Sequence, residues 1–219
     1  MASTAAVAAA VAYAGHLARP APDVAADLDR YVALLTRWQA AQNLVSRETL
    51  PAVWPRHIVD SLQLLRHLTP ADRTFLDLGS GGGFPAIPLA IARKGAADLS
   101  FVLVESTGRK ASFLRLVARE LNLPIRVVAS RIEAFDSREM GRPDVITSRA
   151  LASLDRLCRF AAPHFGPGTR ALFHKGRDAG EELAKARAEW ELDVVSWPSD
   201  TSSDGVLLEI RNMRSLSAS

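Results

Sequence analysis

One nine-residue run, Asp77-Leu78-Gly79-Ser80-Gly81-Gly82-Gly83-Phe84-Pro85, constrains this chain more than any other segment. It continues the apolar stretch Phe75-Leu76-Asp77-Leu78 and leads into a helix-like stretch from Phe84 to Ala92. A strand that stops on closely spaced glycines and turns directly into a helix needs tight backbone conformations, and it exposes bare backbone to which a ligand can come close. Pro85 and Pro88 suit the start of that helix, because N–H groups of a first turn have no intrahelical acceptor.

After Thr74 a strand–helix unit recurs. Phe101 to Glu105 precedes Arg109 to Leu121, and Arg126 to Ala129 precedes a loop. Asp144 to Thr147 precedes Leu151 to Phe160, and Thr169 to His174 precedes Asp178 to Trp190. Leu192 to Trp197 and Val206 to Arg211 then follow each other with no helix between them. The alternation predicts a parallel sheet covered by helices on both faces, with a closing hairpin that adds an antiparallel strand at one edge. Upstream, Val24, Leu28, Tyr31, Leu34, Leu35 and Trp38 recur at helical spacing from Asp23 to about Gln42. Ile58, Leu62, Leu65 and Leu68 do the same from Trp54 to Leu68, before Pro70. The expected organisation is a helical extension over 1–70 packed on the core, an α/β domain over 71–214 and a tail over 215–219. A chain of 219 residues, 48% hydrophobic and 23% charged, is long enough to bury such a core.

A net charge of +3 excludes a polycationic tail protein. The single cysteine, Cys158, excludes an intramolecular disulfide framework and a multi-cysteine zinc site, and it fits a reducing compartment. Met1 to Ala18 carries no Asp, Glu, Lys or Arg. It lacks a basic leading segment and is mostly Ala, so it reads as a helical or frayed N-terminus, not a secretion signal. No later window is apolar for long enough to span a bilayer. The expectation is a cytoplasmic monomer with no membrane partner.

The loop lacks the Gly-Lys-Ser/Thr ending of a phosphate-binding loop, and Phe84 stands where a dinucleotide fingerprint has its third glycine. Its G-x-G-x-G spacing, with an acid two residues ahead, resembles motif I of the class I S-adenosylmethionine-dependent methyltransferases. That resemblance implies a Rossmann-like, mostly parallel seven-stranded sheet and a loop passing under the methionine and ribose of the cofactor. Glu105, ending the next strand, is the candidate acceptor for both ribose hydroxyls. Glu133, past the third strand, is a candidate for the adenine amino group, or else an acid at a helix start.

Cys158 lies in an apparent helix with no Pro-Cys loop, so it reads as a small core residue and not as the nucleophile of cytosine C5 methylation. The Asn/Asp-Pro-Pro-aromatic loop typical of exocyclic-amine methylation is absent; Thr147-Ser148-Arg149-Ala150 stands there instead. Guanine N7 has an in-plane lone pair and no proton to remove, so a site without an obvious base suits it. No catalytic residue and no metal ligand can be named. Between Ser106 and Phe160 there are eleven Lys or Arg against six Asp or Glu, an excess able to neutralise phosphates or simply to solvate helix faces. Trp38 and Trp54 read as core-packing residues in preference to base-stacking ones.

Taken together, several segments resemble one family, the ribosomal RNA small subunit methyltransferase G family, also called glucose-inhibited division protein B. They are Asn43-Leu44-Val45-Ser46, Arg56-His57-Ile58-Val59-Asp60-Ser61-Leu62, the glycine loop, Glu105 with Arg109-Lys110, Ser130-Arg131-Ile132-Glu133, Thr147-Ser148-Arg149-Ala150 and His174-Lys175-Gly176. The resemblance runs from about Leu35 to Arg211. It implies methyl transfer from S-adenosylmethionine to N7 of a guanine of the 527 type in the 530 loop of 16S rRNA, with the rRNA or the small ribosomal subunit as partner and no metal. It also implies cofactor contacts by Gly79, Phe84, Ile132, Glu133 and Arg149, beside Gly81 and Glu105 of the loop reading. Arg149 belongs on the cofactor's carboxylate or on RNA. His57 and Asp60, on one helix face, touch RNA or a cofactor lid, or join the N-terminal helices to the sheet; the second reading is preferred. Gly82 and Ala86 depart from residues common in the family, and the Ala-rich stretch before Pro20 matches nothing in it. Two other functions stay open: a small-molecule S-adenosylmethionine methyltransferase and a non-catalytic rRNA-binding assembly factor. A nicotinamide dehydrogenase is more distant.

Overall fold

Short β-branched and leucine-rich runs bounded by glycine or polar turns build the sheet. In the computed structural model, which describes residues 1–46, 48–136, 138 and 140–216, they form β1 (Thr74–Leu78), β2 (Ser100–Val104), β3 (Ile125–Val128), β4 (Val145–Arg149), β5 (Arg170–Lys175), β6 (Trp190–Pro198) and β7 (Val206–Ser215). The strand order is β3-β2-β1-β4-β5-β7-β6. The first five strands are parallel, and β7 runs antiparallel between β5 and β6. The chain winds outward from β1 to β3, then returns to β4 on the other side of β1. Such a reversal opens a crevice at the carboxyl ends of the strands.

Helices cover both faces. On one lie α4 (Ala86–Arg93) and α5 (Gly108–Glu120), and outside them α1 (Thr4–Ala12) and α2 (Ala21–Gln42), all within one hydrophobic cluster. All eight residues of α4 are buried, since it lies between the sheet and α2. On the other face, α6 (Leu154–Ala161) and α7 (Ala179–Ala186) pack with Leu76, Leu78, Val102, Ile146 and Phe173. Cys158 is fully buried there. Trp38 packs against Phe113, with ring centroids 5.8 Å apart, and Trp54 packs against the first cluster.

Two expectations need correction, and one open reading is decided. The stretch from Trp54 to Leu68 is not one regular helix: a π-helical turn (Trp54–Val59), the short α3 (Asp60–Leu62) and a 3-10 segment (Gln63–His67) follow one another. Of the two readings of the Ala-rich start the helical one holds: α1 buries Ala6, Ala9 and Ala10, and the Tyr13 hydroxyl after it donates to Asp200 at 2.9 Å. Trp190 does not end a helix; α7 stops at Ala186 and Trp190 begins β6, where pairing with Ser215 and burial of the indole override local helix propensity. Of the expected tail, Ser215 still belongs to β7, while 217–219 lie outside the described residues.

Candidate active site

The glycine loop leaves β1 pinned by its backbone. The Gly79 and Ser80 N–H groups donate to the Val104 carbonyl at 2.9 and 3.2 Å, and the Gly83 N–H donates to the Ser80 carbonyl at 2.7 Å. Gly79, Gly81 and Gly83 have φ of 70°, 55° and 101°, in the region that side chains with a Cβ disfavour. The Gly82 N–H donates to no described group.

Glu105 sits one residue beyond β2 and is 6% exposed. Its Oε2 accepts from the Gly81 N–H at 2.9 Å and its Oε1 from the Thr107 N–H at 2.7 Å. One bond per oxygen leaves each with a further lone pair, so the carboxylate keeps its capacity for two neighbouring hydroxyls. Below it, Asp77 is buried in the sheet. Its Oδ1 accepts from the Thr147 hydroxyl at 2.7 Å, while Oδ2 has no partner. Burial lifts its pKa to about 7, against the pull of the Ser80 and Thr147 hydroxyls.

Arg149 ends β4 and is largely buried. Its Nη1 donates to the Arg56 carbonyl at 2.9 Å and to Asp60 Oδ2 at 3.2 Å, and its Nη2 donates to His57 Nδ1 at 2.5 Å. Because a guanidinium only donates, His57 Nδ1 must be the acceptor, so Nε2 carries the proton and gives it to the Thr49 hydroxyl at 2.9 Å. Burial first, and then the Arg149 charge, push the His57 pKa down to about 4. The His57 ring stacks on Phe84 at 4.9 Å, and the Arg149 guanidinium lies 5.0 Å from the same ring centroid. Asp60 also accepts from Gln63 and the Thr201 hydroxyl, both at 2.8 Å, and its carbonyl accepts from His174 Nε2 at 2.9 Å. His57 and Asp60 thus do join the N-terminal helical segment to β4 and β5.

A cleft of about 850 Å³ opens where the chain reverses between β1 and β4. Gly79, Gly81, Phe84, Glu105, Ile132, Glu133 and Arg149 all line it, so the structure gathers every candidate residue into one place. Glu133 is exposed and Ile132 half-buried, both in a 3-10 turn after β3. The far wall carries Arg156, whose guanidinium lies 5.3 Å from the Phe160 ring centroid, and Lys175, paired with Glu182 at 2.5 Å. Ser199, Thr201 and Ser202 of the β6–β7 loop close one side. Arg56, Lys110 and Arg131 stand at the rim and form no ion pair with any described residue. Among the described residues no group of His, Cys, Asp and Glu is arranged to hold a metal ion, and no helix is long and apolar enough to cross a membrane.

The family model for rRNA small subunit methyltransferase G matches residues 24–203, most of the chain. The chain belongs to this family. Relatives of the same name are similar along most of their length. One from Cereibacter sphaeroides is 46% identical, covering 84% of this chain and 88% of its own; one from a Methylobacterium species is 47% identical, covering 87% and 90%. An O-methyltransferase from Bacillus cereus, solved in complex with SAH, has a TM-score of 0.58 at 15% identity over 83% of this chain and 90% of its own. At that identity it speaks for the fold alone, a class I methyltransferase sheet with its closing antiparallel hairpin. Family membership covers α2 but not α1, which precedes the matched span. The reading from residues alone missed the bonds from Thr147 to Asp77, from Thr201 to Asp60 and from the Tyr31 hydroxyl to the Gly82 carbonyl, whose partners lie 70, 141 and 51 positions away. No local signal marks such pairs.

Proposed function

We infer that this protein transfers a methyl group from S-adenosylmethionine to N7 of a guanine in 16S rRNA, at the 527-type position of the 530 loop. The convergence of the glycine loop, Glu105 and Arg149 on one cleft, in a chain of this family, carries the reading. When bound, S-adenosylmethionine supplies an electrophilic methyl group on a sulfonium. The chain's fit to it rests on chemistry: glycine backbone without side chains and open to close approach, a Gly82 N–H with no partner among the described residues and a carboxylate fixed by two N–H donors with lone pairs to spare. Glu105 would take the ribose hydroxyls, Gly79 and Gly81 would pass beneath the nucleoside, and Phe84 would pack against it. Ile132 and Glu133 would border the adenine.

Most titratable groups in the cleft are already committed. Asp60 holds Arg149, His57 is neutral with both nitrogens engaged, and Glu182 holds Lys175 and the Leu154 N–H. Guanine N7 has no proton to lose, so the chain needs no free base there. The uncompensated Arg56, Lys110 and Arg131 would meet RNA phosphates. The reading has the protein acting as a monomer in the cytoplasm, where its ribosomal substrate is assembled.

The test incubates the protein with radiolabelled S-adenosylmethionine and 30S subunits or naked 16S rRNA from a strain lacking the modification, followed by nucleoside analysis. Label in 7-methylguanosine is the expected result. Label on a small metabolite alone, or on another base, refutes the reading.

A further inference from the structure

We propose that Tyr31, on the N-terminal helix α2, is a positioning residue that presets the glycine loop and thereby sets affinity for the methyl donor. This rests on the reading that the loop holds S-adenosylmethionine. Tyr31 is fully buried, and burial holds its phenol far above the ordinary pKa, so the hydroxyl stays a donor. It donates to the Gly82 carbonyl at 2.7 Å. Its ring lies 5.5 Å from Phe84, at the loop's far end. A Cβ on Gly83 would meet Ile87 Cγ1 at 2.6 Å and the same hydroxyl at 3.1 Å, so the phenol also stands close against Gly83.

The loop needs such a fixture. Four of the five residues from Gly79 to Gly83 are glycines, which lose more conformational freedom on ordering than any other residue. The bonds from the Gly79 and Ser80 N–H groups to the Val104 carbonyl and from the Gly81 N–H to the Glu105 carboxylate hold the inner half from the sheet side. Tyr31 holds the outer half from the opposite side. Its hydroxyl is spent inside the protein, and the residue does not line the cleft, so any effect of that hydroxyl on the ligand passes through Gly82. A loop ordered before binding gains affinity by cutting the cost of ordering on binding.

Tyr31→Phe deletes only the hydroxyl. Calorimetry with S-adenosylhomocysteine should show binding weakened about three- to tenfold, the span expected for one net hydrogen bond. KM for the donor should rise in step while KM for the RNA stays unchanged. Val24→Ala, equally buried seven residues earlier on α2, serves as the control, because it costs stability without touching the loop. It should bind S-adenosylhomocysteine like the parent. Tyr31→Phe binding within twofold of the parent overturns the proposal, as does equal weakening in Val24→Ala. A parent protein that fails to bind S-adenosylhomocysteine overturns the functional reading, and this one with it.

Discussion

Glu105→Gln tests the centre of the site with almost no change in shape. The carboxylate accepts one backbone N–H on each oxygen, from Gly81 at 2.9 Å and Thr107 at 2.7 Å. An amide keeps one acceptor oxygen and turns its NH2 toward the other N–H, so one bond is lost and two donors face each other. A hydrogen bond to a charged acceptor contributes about 1.5–3 kcal/mol, which sets the expected loss at about 2–3 kcal/mol. For a chain of this size each kcal/mol lowers Tm by about 2–4 °C, so unfolding should come about 4–12 °C earlier. The amide also loses one acceptor toward the ribose, and S-adenosylhomocysteine should bind about 10–100-fold more weakly at temperatures well below the new Tm. Thermal unfolding by circular dichroism and titration calorimetry read the two effects separately. Binding within twofold of the parent refutes the ribose assignment, and an unchanged Tm refutes the claim that this carboxylate anchors the loop.

Arg149→Gln strips donors from His57 Nδ1 and Asp60 Oδ2; methyl transfer should vanish and stability should fall by about 2–4 kcal/mol, and Arg149→Lys should not rescue, because an ammonium cannot reproduce the fork. Retained labelling by Arg149→Gln would sink that assignment. His57 titrates lower in the folded chain than in the unfolded one, so the folded state binds fewer protons between about pH 6.5 and 4, and stability should fall as pH drops through that window. Proton NMR of the His57 ring should show it neutral at pH 6, and a midpoint near 6.5 would contradict the Arg149 contact. Burial pushes the Cys158 thiol up to about 12, so a maleimide should leave it unmodified in the native state. Cys158→Ala should methylate like the parent at a cost of about 1 kcal/mol in stability, and a tenfold loss of rate in a folded variant would reopen a role for the thiol.

Most of the fold was legible because its strands are short apolar runs stopped by glycine or polar residues, and because each is followed by a helical stripe. Legibility failed where tertiary contacts decide. Ala188-Glu189-Trp190 contains no helix breaker, yet Trp190 pairs with Ser215 and its indole is buried, so strand wins over helix. The polar Arg211, Asn212, Arg214 and Ser215 hid the end of β7, which is held by its partner strand and not by burial. In α1 the larger Val7 and Val11 are exposed and only alanines are buried, so the sequence shows no apolar face to read, although the helix buries one. In the site, the residues that form a local pattern were found: Gly79, Gly81, Phe84, Glu105, Ile132, Glu133 and Arg149 line a single cleft. Those that act through distant partners, such as Tyr31 on Gly82 and Thr201 on Asp60, carry no pattern of their own.

The bond from Tyr13 to Asp200 ties the alanine-rich beginning of the chain to the edge of the cleft. Asp200 belongs to the turn that carries Ser199, Thr201 and Ser202 to the cleft, and Arg66 grips the same carboxylate. Two helical turns beyond the span shared with the family thus offer a place where the edge of the cleft can be adjusted without altering any residue that lines it.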